Sequence, residues 1–265
     1  MPYVEVEKGV QYYYEDVGQG KPIVFVHGWG ANRKVWERQV VDFSDKYRVI
    51  TIDCRGCGNS DNPAHGYEIS QLADDLNQVI QSLDLKDATL VGWSAGGSIV
   101  VDYVSRYGGE AVTKVVSVGG AVPRYTSTEG FDLGAPLENV KATLTAMRAN
   151  RPAVARAIAD GCFHQDVGQP MKDWLFNNFM EQSWLTEKTM ADLGVIDLRK
   201  QLKEISIPVA FFHGLQDGVV PFSLSEYSAN EVPGAKLVAF ENSSHAPFLE
   251  ELERFNEELA SFIQS

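Results

Sequence analysis

Ser94 stands in Gly92-Trp93-Ser94-Ala95-Gly96, between an apolar run that reads as a strand and a stretch with helical periodicity. Glycines flanking a sharp strand-to-helix turn let the backbone crowd together and push the serine hydroxyl outward. A serine hydroxyl is a poor nucleophile until a base takes its proton and a third group orients that base. Two later stretches offer both. His245, in Glu241-Asn242-Ser243-Ser244-His245-Ala246-Pro247, follows the last expected strand, and Asp217, in His213-Gly214-Leu215-Gln216-Asp217-Gly218-Val219-Val220-Pro221, follows the strand before it. Serine, aspartate, histidine is the chain order of a nucleophile elbow and its partners, and the chemistry it points to is acyl transfer. The plainer alternative for Ser94 alone is a helix-capping serine. Such a pentapeptide arises by chance in about one chain in ten of this length, so its context carries the weight.

A tetrahedral acyl intermediate also needs two donors aimed at its oxyanion. The backbone N–H of Ala95 is one candidate, and that of Trp29, in the His27-Gly28-Trp29-Gly30 loop after the third expected strand, is the other. Of the five histidines, His27 and His213 end strands and read as structural, while His65 and His164 sit in polar surroundings and read as surface residues. Cys54 and Cys57 form a C-x-x-C, but turn residues surround them and no second Cys/His cluster completes a zinc site. No cofactor or metal is expected.

The elements that must position these groups follow from periodicity. Strand-like runs at Val4–Val6, Gln11–Asp16, Ile23–His27, Tyr47–Ile52, Thr89–Trp93 and Lys114–Val118 alternate with helical stretches, the mark of a mostly parallel sheet covered on both faces. Leu72, Leu76, Val79, Ile80 and Leu83 recur at helical spacing. From about Val122 to Asp197 the pattern is helical, with pieces at Leu137–Asn150, Pro152–Asp160, Val167–Met180 and Thr186–Leu193. Alternation resumes with Val209–His213, a helix over Ser223–Glu231, Lys236–Phe240 and a closing helix over Leu249–Ile263. The expectation is a core built from residues 1–121 and 198–265, with a helical cap inserted at 122–197.

The 265 residues suit one α/β domain, and 36 acidic against 23 basic side chains give a formal charge of −13, which disfavours nucleic acid and anionic lipid surfaces. The opening Met1-Pro2-Tyr3-Val4-Glu5 lacks a signal-peptide layout, and no apolar run approaches the ~20 residues of a membrane span, so a cytoplasmic protein, monomeric or a small homo-oligomer, is expected. Three cysteines do not make a disulfide framework.

Across essentially its whole length the chain resembles the α/β-hydrolase fold superfamily. Besides the elbow, the loop and the ordered triad, Asp53-Cys54-Arg55-Gly56-Cys57-Gly58-Asn59-Ser60 matches that family's Asp-x-Arg-Gly-x-Gly-x-Ser turn, with the two cysteines at its variable positions. The resemblance is nearest to small bacterial serine esterases, enol-lactonases and cofactor-free haloperoxidases (perhydrolases). It implies an eight-stranded, mostly parallel sheet and a serine hydrolase acting on a small ester or lactone. Perhydrolysis, amide or carbon-carbon hydrolysis with the same triad, or a ligand receptor of the same fold, are the alternatives. The haloperoxidases commonly carry proline after the aromatic oxyanion residue where this chain has Gly30, so a proline there is expected to favour peracid chemistry. Dehalogenases and epoxide hydrolases of this fold place aspartate where Ser94 stands. Trp29, Phe131, Met147, Phe163, Trp174, Phe179, Trp184 and Val219 are the expected walls for a mainly apolar substrate, though burial against the core is the simpler role for any one of them.

Overall fold

Ile23 and Phe25 point to one face of strand β3 (Pro22–Val26), Val24 and Val26 to the other, and all four are fully buried. A strand apolar on both faces needs a layer of helices on each. The computed structural model describes residues 2–109 and 111–265, and there eight strands form one sheet in the order β1-β2-β4-β3-β5-β6-β7-β8. The strands are β1 (Tyr3–Glu7), β2 (Val10–Val17), β3, β4 (Arg48–Ile52), β5 (Ala88–Trp93), β6 (Val112–Val118), β7 (Val209–Gly214) and β8 (Lys236–Phe240). β1 pairs antiparallel with β2, and β2 antiparallel with β4; from β4 to β8 the pairing is parallel. The eight-stranded, mostly parallel sheet expected from the sequence is the one observed.

Helices α2 (Ile69–Ser82) and α3 (Ala95–Tyr107) pack together on one face. Helices α1 (Glu37–Phe43) and α10 (Leu252–Gln264) cover the other. Between β6 and β7 lie α4 (Leu137–Gly161), α5 (Gly168–Met180), α6 (Glu187–Leu193) and the short α7 (Arg199–Leu202). The break expected between Asn150 and Pro152 is a kink within α4: Asn150 leaves helical geometry, and its Oδ1 accepts the Ala153 N–H at 3.2 Å, which restarts the helix with Pro152 in its first turn. Ahead of α4, isolated bridges join Thr126 to Ala135 and Thr128 to Phe131, so this part of the segment is not helical.

After α8 (Phe222–Glu231) and β8, the expected closing helix is two. The short α9 (Pro247–Glu250) ends where Glu251 turns out of helical geometry, and α10 follows. The break serves the loop before it. Glu250 accepts the Ser244 N–H (2.7 Å), and Glu251 accepts the Asn242 N–H (3.0 Å) and the Ser243 hydroxyl (2.7 Å).

A buried ion pair anchors the turn after β4. Arg55 Nε and Nη2 donate to the two oxygens of Asp75 at 2.6 and 2.7 Å, both side chains are fully buried, and Tyr12 donates its hydroxyl to the same carboxylate at 2.7 Å. Asp75→Ala takes the acceptor from a buried phenol and from the Nε of a buried guanidinium, which keeps only Glu7 and the His65 carbonyl. We expect a loss of about 3–5 kcal/mol in urea unfolding; a loss under 1 kcal/mol would show that solvent replaces the carboxylate.

Candidate active site

The strand order turns at β3 and β5: β4 lies to one side of β3, while β5 to β8 run to the other. Ligand crevices of open α/β sheets form at such a point, beyond the carboxyl ends of the strands. Ser94 is the first residue after β5, and Trp29 lies just beyond the end of β3.

Ser94 takes φ 56° and ψ −118°, left-handed geometry that costs a residue with a Cβ about 1–3 kcal/mol. The surroundings hold it there: its N–H donates to Val118 O at 2.9 Å, and its carbonyl accepts from Gly97 (2.9 Å) and Ala121 (3.3 Å). The flanking glycines are obligatory by close approach. A Cβ on Gly92 would collide with the Gly96 carbonyl, and one on Gly96 would stand 2.5 Å from Val26 O. As the first helical residue, Ala95 has no intrahelical acceptor for its N–H.

Asp217 and His245 meet from separate loops. His245 Nδ1 lies 2.7 Å from Asp217 Oδ2, with the aspartate side chain fully buried and the histidine nearly so. Asp217 Oδ1 accepts the N–H groups of Val219 and Val220, each at 2.8 Å. Burial alone would push the Asp217 carboxyl up, but His245, supported by His213, holds it well below the usual carboxylate range. Trp93 Nε1 donates to His245 O at 2.8 Å, tying the elbow to the histidine loop.

The loop after β3 passes directly beside Ser94: a Cβ on Gly28 would stand 3.0 Å from Ser94 Cβ. His27 props it from beneath. Its Nε2 accepts the Cys54 N–H at 3.0 Å, so Nδ1 carries the proton and donates to Gly28 O at 2.8 Å. Burial keeps the His27 pKa below its ordinary value against the pull of Asp53, so the ring is a neutral strut. Gly30 has φ +82°. Proline is locked near about −65° and cannot take that place without refolding the turn, so the expected conversion by a proline at 30 is not a simple substitution here. Cys54 and Cys57 are buried free thiols, both pushed up by burial, the opposite of a reactive redox pair.

Ser94 and His245 share the wall of an apolar cavity of about 110 Å³. Of the expected walls, Trp29, Phe179 and Val219 line it. The others stand elsewhere. Met147 lines a small neighbouring void behind Trp29 and Phe179. Phe131 packs with Val220 and Leu224 under the Tyr227 ring. Phe163 and Trp174 join the cluster on the α1 and α10 face, and Trp184 is 49% exposed with the Arg151 guanidinium over its ring. These five are corrections: large apolar residues bury wherever a layer needs filling, or in the case of Trp184 stay at the surface, and composition does not say which. Tyr125, Val140, Thr143, Ile158, Cys162 and Leu193 complete much of the wall and were not anticipated. Of these, Val140, Ile158 and Leu193 are apolar residues on helical stretches, whose spacing could have flagged an inward face; Thr143 shares the helix of Val140 but carries no apolar signal.

The alpha/beta hydrolase fold family model matches residues 21–252. The AB hydrolase superfamily protein YisY of Bacillus subtilis is 34% identical over 265 residues, covering 99% of both chains. The non-heme chloroperoxidase CPO-A1 of Kitasatospora aureofaciens is 34% identical, again with 99% of each chain covered. Among solved structures, an esterase from Exiguobacterium antarcticum superposes with a TM-score of 0.97 at 34% identity over 99% of each chain.

Proposed function

The chain belongs to the alpha/beta hydrolase fold family, and on that premise we propose that it is a serine hydrolase of small carboxylic esters or lactones, acting through an acyl-enzyme. The observation that carries the reading is the 2.7 Å contact of His245 with a buried, ionised Asp217, beside the cavity that Ser94 enters from a strained turn. Asp217 accepts the His245 Nδ1 proton, which leaves Nε2 unprotonated and able to take the Ser94 hydroxyl proton as Oγ attacks the carbonyl. The carbonyl π electrons move onto oxygen, where the Ala95 and Trp29 N–H groups meet them. His245 returns the proton to the departing alkoxide, then activates the water that releases the acid.

Cavity size narrows the substrate. About 110 Å³ holds a chain of about four carbons, since a cavity of about 150 Å³ holds benzene. An open surface groove meets the same wall at Tyr125, Thr143, Ile158 and Val219. A short acyl group in the cavity, with the alcohol directed along the groove, fits both volumes. Across p-nitrophenyl esters, kcat/KM should peak at acetate to butyrate and fall at least tenfold by decanoate, while naphthyl acetate remains a substrate. Activity that climbs through decanoate would place the acyl chain in the groove instead.

A second reading, peracid formation when hydrogen peroxide replaces water at the acyl-enzyme, is favoured by the kinship with the chloroperoxidase. Peracid release from acetate and hydrogen peroxide, compared with ester turnover by the same preparation, separates the two.

A further inference from the structure

His213 is the last side chain of β7 before Gly214, is wholly buried, and approaches the same Asp217 oxygen as His245. Its Nε2 stands 3.0 Å from Asp217 Oδ2 and 3.0 Å from Val220 O. Facing two acceptors, that nitrogen must carry a proton. Its Nδ1 lies 2.6 Å from the hydroxyl of Ser225 on α8, which donates to it when the ring is neutral, and Phe222 packs edge-on against the ring. Asp217 Oδ2 therefore faces two imidazoles, bonded to His245 Nδ1–H and 3.0 Å from the His213 Nε2–H that it shares with Val220 O, while Oδ1 accepts two backbone N–H groups. The carboxylate is held by three hydrogen bonds and by the His213 edge against Oδ2.

Resting on the serine-hydrolase reading above, we propose that His213 is a positioning residue that locks the Asp217 carboxylate and draws charge away from its Oδ2, which loosens the hold of that oxygen on the His245 Nδ1–H. A hydrogen bond to an anion spreads its charge and weakens its hold on a second donor. The Ser225 hydroxyl fixes the ring orientation that makes this work.

Other groups near the pair do not compete for this role. Tyr125 and Cys162 are both pushed up by burial and further by the Asp217 charge, so both stay neutral at neutral pH. Glu250, whose carboxylate accepts the Ser244 N–H, is raised by burial. It is present in every variant below and cancels in the comparison.

The test is the pH dependence of kcat/KM for p-nitrophenyl acetate in the native protein, His213→Leu and His213→Gln, whose amide N–H reaches the position of Nε2. In His213→Leu the acid limb should move up by about half to one pH unit, with kcat falling about tenfold and KM little changed. His213→Gln should bring the limb back. A residue that merely fills space would lower the folded fraction and leave the limb where it was. An unmoved limb in His213→Leu, or an equal shift in both variants, overturns the proposal. Should His213→Leu fail to fold, Ser225→Ala keeps the imidazole and should move the limb the same way by less; no movement there overturns it equally. A Ser94→Ala variant that stays active would instead overturn the acyl-transfer reading beneath it.

Discussion

Ser94→Ala is expected to lower kcat on short esters by about 10⁵ to 10⁶ while leaving the fold intact. The size follows from the absence of a substitute among the side chains lining the cavity. Cys162 shares the wall, but burial and the charges of Asp217 and Glu250 push its thiol up, so no thiolate forms there at neutral pH. What survives should be the contribution of the N–H donors and of binding alone. A fluorophosphonate probe gives an independent readout, adding its mass to the native chain and not to Ser94→Ala. The strained backbone adds a second expectation: Ser94→Gly, freed of the Cβ penalty at φ 56°, should be inactive yet more stable by about 1 kcal/mol. Retention of more than a hundredth of native turnover by Ser94→Ala would remove Ser94 as nucleophile.

Asp217→Asn should cost about 10⁴ in kcat, through proton placement more than lost charge. Oδ1 faces the N–H groups of Val219 and Val220, so an asparagine must put its carbonyl oxygen there and its NH₂ at the Oδ2 position. That NH₂ then meets the nitrogens of His245 and His213, both of which donate in the native site. Two donors face a third. His245 can relieve the clash by moving its proton to Nε2, the tautomer that cannot accept the proton of Ser94. Because the defect is one of tautomer, activity should recover at high pH, where hydroxide can take the serine proton in place of the imidazole. A flat tenfold loss at all pH values would mean that Asp217 supplies charge alone.

Much of the architecture was legible in the chain. A continuous apolar run at 23–26 and helical spacing at 72–83 gave the layers, because burial on two faces makes every strand position apolar and burial on one stripe leaves a helical period. The elbow was legible because the close approach of Gly92 and Gly96 admits no side chain, and so selects a composition visible in five residues. Long-range placement leaves no such mark. Trp174 and Trp184 resemble Phe179 in sequence, yet only Phe179 reaches the cavity, and the choice depends on where α5 settles. The closing helix broke at Glu251 because its carboxylate is needed by Asn242 and Ser243, a demand invisible to helical periodicity. His213 read as a strand-end residue; its second role needs Asp217 four positions on to fold back against the same nitrogen.

The sequence by itself determined which residues are proposed to react, their order along the chain and the sheet whose carboxyl edge gathers them, since these follow from residue type and local period. Only the tertiary structure decided that two histidines share one carboxylate oxygen, that Gly30 adopts a conformation closed to proline, and that the cavity holds about 110 Å³. Those properties arise where segments far apart in the chain come within hydrogen-bonding or contact distance. No local pattern of side chains encodes such a distance.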